Sequence, residues 1–483
     1  MSTNNTATII LAAGLGTRMR SKRAKVLHEL GGEPMIVRVI RKLGDARRKS
    51  PVVVVVGYQA REVESVVRTR FPDSQISFAL QSEQRGTGDA LRTGLQSLPA
   101  DFDGGAIVLY GDVPMVSEST LTDFSSAFDR SGDSGFGFIS VKIPDGAGFG
   151  RVIRDNSGNV DAIVEARDAS PAELAINEIN TGIYYFPKVK NLRNLLAELK
   201  PNNVQGEYYL TDLVAIARRR NLKVEAWLAN DPTEFAGINS REELAQMEAQ
   251  IRAAINRKLM EAGVTLVDPA TAYISEQAEI SPDCVIGPNV QILGTCKLGE
   301  GVRIDGTAWL SNVTIGPRCH LKLGVRAEDC VIGEDSEIGP FAHLRAGTEL
   351  AGHNRIGNFV ETKKARIGRG TKASHLSYLG DATIGADTNV GCGVITVNYD
   401  GYDKHHTEIG DRCMVGCDTQ LVAPVKVGSD VYVASGTTII REVPDGALVM
   451  SHHPQREKAG WMATWRKRHN DSPDGSLKRN KDH

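Results

Sequence analysis

The sequence predicts two unlike folds in series: an α/β domain with a doubly wound, Rossmann-like sheet, then a left-handed parallel β-helix of hexapeptide repeats, with a linker helix between them. Three observations carry this prediction. Strand-like apolar runs alternate with helix-like segments through the first half, as in a parallel sheet covered on both faces. From about Ala272 an aliphatic residue recurs every six positions, usually followed by Gly or Asp. At 483 residues the chain also exceeds one ordinary core, so two or three domains are expected.

In the α/β half, Thr8-Ile-Ile-Leu-Ala12 reads as a buried strand. Pro51-Val-Val-Val-Val-Val56 reads as a second, ending at Gly57, and Gly105-Ala-Ile-Val-Leu-Tyr110 as a third, stopped by Gly111-Asp112. Helices are expected over Met35–Leu43 and Thr87–Leu98. Such sheets bind ligands at the carboxyl ends of their strands, where Ala13-Gly14 and Gly111-Asp112 both fall. Thr211-Asp212 reads as the cap of a helix over Leu213–Arg219. A polar amphipathic helix from Ser240 to about Ala262, with Ser240 a plausible N-cap, joins the halves.

The repeat then runs Ile280-Ser-Pro-Asp-Cys-Val, Ile286-Gly-Pro-Asn-Val-Gln and onward to Val427-Gly. Each hexapeptide makes one short strand and one turn, with the aliphatic residue pointing inward. Three hexapeptides close a coil, which cannot bury its core alone and therefore stacks on its neighbours. Roughly 170 residues of repeat allow about nine or ten coils. The phase breaks between Cys392 and His406, where Val397-Asn-Tyr-Asp-Gly-Tyr-Asp-Lys404 carries turn residues and charges. An excursion of this kind from a regular solenoid predicts a functional loop.

Composition excludes several classes. Hydrophobic residues make up 41% and charged residues 24%, a globular profile. A net charge of -2 provides no global field for nucleic acid or an anionic membrane. The first 25 residues show no signal peptide, and no stretch approaches the ~18 apolar residues of a membrane span. All seven cysteines lie at or beyond Cys284, with no C-x-x-C pair. They read as free thiols in a reducing cytoplasm rather than as disulfides or a zinc site. Residues 466–483 are basic and polar and read as a disordered tail.

Chemistry enters with Gly14-Leu-Gly16-Thr-Arg18, which follows a strand and opens onto a helix-like segment. Glycines let backbone N–H groups approach phosphate. The loop alone licenses no more than phosphate binding, since it matches neither the P-loop nor the dinucleotide fingerprint. Arg18, Lys25 and Asp112 sharpen it. Two cations, a backbone nest and a carboxylate ready for a metal are what phosphoryl transfer from a triphosphate requires. In the repeats, Arg345, Lys363, His375, Tyr378, Asn389 and Asn398-Tyr399 cluster around the late coils. Among side chains, His has the unperturbed pKa best matched to general-base duty near neutral pH, so His375 is the candidate base. Arg345 and Lys363 suit an anionic group such as a phosphate. Lys363-Lys364 also fits a merely solvated face, and His320, His343 and His353 read as surface residues. β-Helices of this type serve as acyltransferases and also as purely structural assembly domains, so fold alone decides nothing.

With Leu11-Ala-Ala-Gly-Leu-Gly-Thr-Arg-Met19, Lys25-Val-Leu-His28, Gln84-Arg-Gly-Thr-Gly88, Leu109-Tyr-Gly-Asp-Val-Pro114 and Glu178-Ile-Asn-Thr-Gly182, the chain resembles the sugar-1-phosphate nucleotidyltransferases. Asn358-Phe-Val-Glu-Thr-Lys363, His375-Leu-Ser-Tyr-Leu-Gly-Asp381 and Val397-Asn-Tyr-Asp-Gly401 narrow the resemblance. Over about residues 7–465 the chain is similar to the bacterial bifunctional N-acetylglucosamine-1-phosphate uridyltransferases/glucosamine-1-phosphate acetyltransferases.

The resemblance implies a division into a uridyltransferase domain (1–239), linker helix (240–262) and acetyltransferase β-helix (263–465). Acetyl-CoA would acetylate glucosamine-1-phosphate, and the product with UTP would give UDP-N-acetylglucosamine, a precursor of peptidoglycan. Leu11, Ala12, Ala13 and Gly14 would line the nucleotide, with Gln81, Gly86 and Thr87 on the uracil. Lys25 would contact phosphate, Arg18 would add positive charge, and Tyr110 and Gly111 would form the floor. Asp112 and Asn239 would hold Mg2+, although Asn239 also fits a plain helix cap. Gly150, Glu165 and Asn180 would hold the N-acetylhexosamine. Tyr378 and Asn389 would complete the amino-sugar site beside Arg345 and Lys363. Acetyl-CoA would lie near Cys392, Asn398, Tyr399, Cys417, Ser435 and His452. The chain departs from the family pattern at Ala24, where Pro is usual, and at Cys392, Cys417 and His452, where Ala, Ser and Arg are common. A homotrimer with an acetyl site between subunits is implied, with no nucleic-acid or membrane partner.

Overall fold

A computed structural model describes residues 6–129, 135–146, 148–451 and 455–468. They fall into two compact units, Met1–Ala254 and Ile255–His483, and the helix Arg241–Glu261 carries the division.

The first unit is built on a twisted sheet. Its main path runs Lys223–Leu228, Gly135–Lys142, Glu178–Phe186, Gly105–Tyr110, Thr6–Ala12, Val52–Val56 and Ile76–Leu80. Thr6–Ala12 lies inside the sheet, parallel to Val52–Val56 on one side and Gly105–Tyr110 on the other. Every residue of the valine run is buried, as a strand covered on both faces requires. Leu91, Leu192 and Leu213 pack on one face, and Ile36, Val63 and Phe124 on the other. The sheet is mixed rather than wholly parallel, because Glu178–Phe186 runs antiparallel to each strand it pairs with. The expected helices form over Met35–Arg41 and Thr87–Gln96. The second stops short of Leu98 because Pro99 disfavours helical geometry in the residue before it.

One expected cap is different. The helix Asp212–Arg219 does begin after Thr211, but the Thr211 side chain makes no cap hydrogen bond. Its hydroxyl donates to Glu165 Oε1 at 3.1 Å instead.

The second unit is a left-handed parallel β-helix. Most strands pair in parallel with the strand three further along, so three strands make one coil. Ile286, Ile304, Leu321, Ile338 and Ile356 stack in register and are buried. Each such side chain contributes about 1.5–3 kcal/mol on burial. Five cysteines, Cys284, Cys296, Cys319, Cys330 and Cys413, sit in the same core as small apolar fillers. Burial pushes the Cys319 thiol up to about 11 and the Cys330 thiol up to about 12. All seven cysteines are free, and only Cys392 and Cys417 reach the surface.

The break in the repeat is a closed loop. Tyr399 bridges Lys404 in antiparallel fashion. The Asp400 carboxylate accepts from the Tyr402 and Asp403 backbone amides at 2.8 Å each and meets His405 Nε2 at 2.6 Å. Further on, the helix Trp461–Arg468 runs past the expected start of the tail at 466, and residues 469–483 lie outside the described set. Among the described residues, no helix is long and apolar enough to cross a membrane.

Candidate active sites

The parallel register of the central strands brings their carboxyl ends to one edge of the sheet. Leu11 pairs with Tyr110 and Ala12 with Val56, and the Gly111 amide donates to the Leu11 carbonyl at 2.9 Å. From that edge the loop turns at Gly16, whose φ is 63°. A Cβ there would lie 2.7 Å from Lys25 Cβ, so glycine is needed both for the dihedral and for the close approach. Lys25 is thereby packed against the loop.

These pieces enclose a cavity of about 410 Å3. Leu11, Ala12, Ala13, Gly14, Lys25, Gln81, Gly86, Thr87, Tyr110 and Asp112 all line it. Arg18 lies in the 3-10 turn Thr17–Met19 with its side chain exposed, outside the cavity wall. Gly86 requires its φ of 103°, and a Cβ there would meet the Tyr208 carbonyl at 2.7 Å. Gln81 is only 5% exposed, and its Nε2 donates to Gly86 O at 3.2 Å and Asp89 Oδ2 at 3.0 Å.

At the floor, Lys25 Nζ is clasped by the Asp112 carboxylate and by Asn239 Oδ1, the latter at 2.9 Å. The two oxygens are held together by the Ile238 amide, which donates to the Asp112 carbonyl at 3.0 Å. Asn239 is not the cap of the following helix. Ser240 is, with its hydroxyl accepting from the Glu243 amide and Glu243 returning to the Ser240 amide, each at 3.1 Å. That leaves Asn239 Oδ1 to accept from Lys25, which with Asp112 forms part of the cavity wall. A carboxylate and an amide oxygen converging on a cation form a donor set that suits a hard divalent ion, and the Lys25 ammonium shows that positive charge fits there.

The three sugar candidates also converge. The Asn180 amide donates to Gly150 O at 2.9 Å, and the Glu165 carboxyl carbon lies 3.6 Å from where a Gly150 Cβ would stand. Asn180 Nδ2 donates to Tyr184 Oη at 2.8 Å. Burial raises the Glu165 carboxyl above its ordinary value, opposed by the Thr211 hydrogen bond. Burial, then the nearby Glu165 charge, likewise raises the Tyr110 phenol. Thr211 belongs to this group and escaped the sequence reading, which took it for a cap.

On the β-helix, register assembles the second set. Asn358 pairs with His375, and the pairings on either side of Cys392 carry the same row onward through Cys392, Cys417 and Ser435. His375 Nδ1 lies 2.9 Å from Asn358 Oδ1. An amide oxygen only accepts, so the proton sits on Nδ1 and the lone pair on Nε2. Asn358 was quoted in the sequence reading without a role, and it stands 17 residues before His375.

A second group lies on the adjoining face. Arg345 Nη1 pairs with Glu361 Oε1 at 2.7 Å. Lys404, from the excursion loop, lies beside Lys363 and lowers its ammonium, with Arg345 adding to the effect. Asn398 Nδ2 donates to Asp381 Oδ2 at 2.6 Å and to Tyr378 Oη at 3.5 Å. The structure thus adds Lys404 to the expected cations. Tyr399 is exposed and donates to Gly401 O at 2.6 Å. Asn389, three residues before Cys392, pairs in register with Lys372 and Met414, and its Nδ2 lies 3.3 Å from Met414 Sδ. His452 lies outside the described residues.

Comparison with known proteins bears out the two folds. Residues 8–143 match the MobA-like NTP transferase domain, residues 269–367 the GMPPB C-terminal domain, and residues 406–441 the bacterial transferase hexapeptide (six repeats). A protein of Pelobacter propionicus named bifunctional protein GlmU is 47% identical over 96% of this chain and 99% of its own length. Proteins of the same name from Trichlorobacter lovleyi and Shouchella clausii are 43% and 42% identical, each over 94% of this chain and at least 97% of their own length. This chain belongs to the GlmU family of bifunctional proteins.

Proposed function

We propose that the chain transfers acetyl from acetyl-CoA to glucosamine-1-phosphate on its β-helix, and uridylyl from UTP to N-acetylglucosamine-1-phosphate on its α/β unit. The observation that carries the reading is Lys25 and Asp112 on the wall of the loop cavity, with Asn239 on the same Lys25 ammonium, on one chain with an Asn358-oriented His375.

In uridylyl transfer the sugar phosphate oxygen attacks the α-phosphorus of UTP. The bond to the β-phosphate breaks, and pyrophosphate leaves with the electron pair. The attacking oxygen is already anionic at neutral pH, so no general base is needed. Asp112 and Asn239 would hold Mg2+, which supplies charge neutralisation when bound. Lys25 turns to the phosphates, and the loop amides line the nucleotide. Gly150, Glu165 and Asn180 hold the N-acetylhexosamine. Positioning and electrostatics carry this reaction.

In acetyl transfer the sugar amine attacks the thioester carbonyl. The C–N bond forms and the C–S bond breaks with its electron pair on sulfur. His375 Nε2 takes the proton shed by nitrogen and returns it to the sulfur, so coenzyme A leaves as the thiol. Arg345, Lys363 and Lys404 gather the sugar phosphate, and Tyr378 and Asn398 line the site. The row through Cys392, Cys417 and Ser435 takes the coenzyme.

We also propose a cytoplasmic homotrimer with the acetyl site completed between subunits. Phe341 and Phe359 stack in the open, with ring centroids 5.8 Å apart, and Leu376 continues their row. All three hold positive φ, a costly setting for bulky side chains. Exposed, strained apolar residues of this kind fit a covered face.

The test is an assay of coenzyme A and pyrophosphate release with glucosamine-1-phosphate, acetyl-CoA and UTP, with and without Mg2+. Both products are expected, with pyrophosphate dependent on Mg2+. Pyrophosphate release from N-acetylglucosamine-1-phosphate without any coenzyme A release from glucosamine-1-phosphate would leave the β-helix a purely structural domain.

A further inference from the structure

We infer that Asp89 is a specificity-positioning residue: it fixes the Gln81 amide so that the carbonyl oxygen, not the amino group, faces the base. The inference rests on the proposed uridylyl site. Gln81 hangs from a buried backbone whose amide donates to Val56 O at 2.8 Å, and its side chain is almost wholly enclosed at the cavity wall. Both of its Nε2 hydrogens are engaged, one by Gly86 O and the other by Asp89 Oδ2. Among the described residues no donor is placed on Gln81 Oε1. The Asp89 carboxylate is itself held, since its other oxygen faces Arg92 Nη1 at 3.8 Å. Arg92 is anchored in turn on Leu196 O at 2.9 Å and over the Tyr208 ring.

Turning the amide over would set Gln81 Oε1 against a carboxylate and a carbonyl, two acceptors that offer it no proton. Hydrogen bonds to a charged acceptor are also the stronger kind. The amide is therefore latched, and the site presents a fixed acceptor. Uracil carries N3–H and can donate to it. Cytosine carries a lone pair at N3 and is repelled. The bidentate pairing that a free glutamine amide could offer a base is not available while Asp89 holds both the nitrogen and its orientation. Sequence alone could not show this. Asp89 sits two residues beyond Thr87, and only the turn onto helix Thr87–Gln96 brings it back to Gln81.

The test measures kcat and KM for UTP, dTTP and CTP with the full-length wild type, Asp89→Ala and Asp89→Asn. Coenzyme A release serves as the folding control. In Asp89→Ala the UTP-to-CTP ratio of kcat/KM is expected to fall roughly 10- to 100-fold, the size of one charge-assisted hydrogen bond. The loss should appear in the KM for UTP, with kcat held. UTP and dTTP should move together, since both bases carry N3–H. Asp89→Asn, whose Oδ1 still accepts, should restore most of the preference. An unchanged UTP-to-CTP ratio in Asp89→Ala overturns the inference. So does equal loss of kcat in both variants, which marks a purely structural role. Absence of pyrophosphate release by wild type with UTP is a different result and refutes the uridylyl reading itself.

Discussion

Lys25 is the residue on which the first site turns. It packs under the Gly16 loop and reaches the two oxygens expected to hold the metal. Lys25→Ala is predicted to lower the uridylyl kcat by about 10^2–10^3, the usual cost of one transition-state charge contact, and to leave coenzyme A release unchanged. In the second site Asn358 fixes the tautomer of His375, the proposed base. Asn358→Ala should reduce acetyl transfer roughly 10- to 100-fold, read as kcat, with pyrophosphate release unaffected. His28 gives a test in pH. It is buried with Nε2 lacking a partner, and burial, then the Arg241 and Arg23 charges, lowers its pKa below 6.5. The unfolded state therefore binds a proton between the lowered value and 6.5 that the folded state refuses, so stability falls as pH drops through that window. Thermal melts should show this decline, and His28→Gln should flatten it. At this scale the residues that line the loop cavity were legible in the sequence by type. Those that act by contact, Thr211, Asn358 and Lys404, were not, since each meets its partner only through the folded register.

Elements were legible where one period dominates. The buried valine strand and the six-residue phase follow directly from side-chain alternation and stacking, and their strands form where expected. The antiparallel strand Glu178–Phe186 left no mark, because a strand buried along its whole length reads alike in either direction. Register across coils was equally hidden. Asn358 and His375 stand 17 residues apart, whereas Asn389 and Met414, also on adjacent coils, stand 25 apart because the excursion loop intervenes. No fixed spacing predicts both. Within the β-helix, Ile338→Ala removes one rung of the buried ladder and is predicted to cost about 2–5 kcal/mol. Because each coil touches only its neighbours, the loosening should be local. Hydrogen exchange should quicken around residues 321–356 and stay slow in the α/β unit; uniform exchange across the chain would contradict this.

The whole molecule carries two chemistries on separate folds of one chain. The exposed row of Phe341, Phe359 and Leu376 predicts that Leu376→Asp shifts the mass measured by light scattering from trimer to monomer and abolishes acetyl transfer, while pyrophosphate release survives. The central claim is tested most directly by assaying two variants, His375→Ala and Asp112→Asn, in parallel for both activities. His375→Ala should lose coenzyme A release by about 10^2–10^4 and keep pyrophosphate release from N-acetylglucosamine-1-phosphate and UTP. Asp112→Asn should do the reverse. Loss of both activities in either variant, or full acetyl transfer without His375, would contradict it.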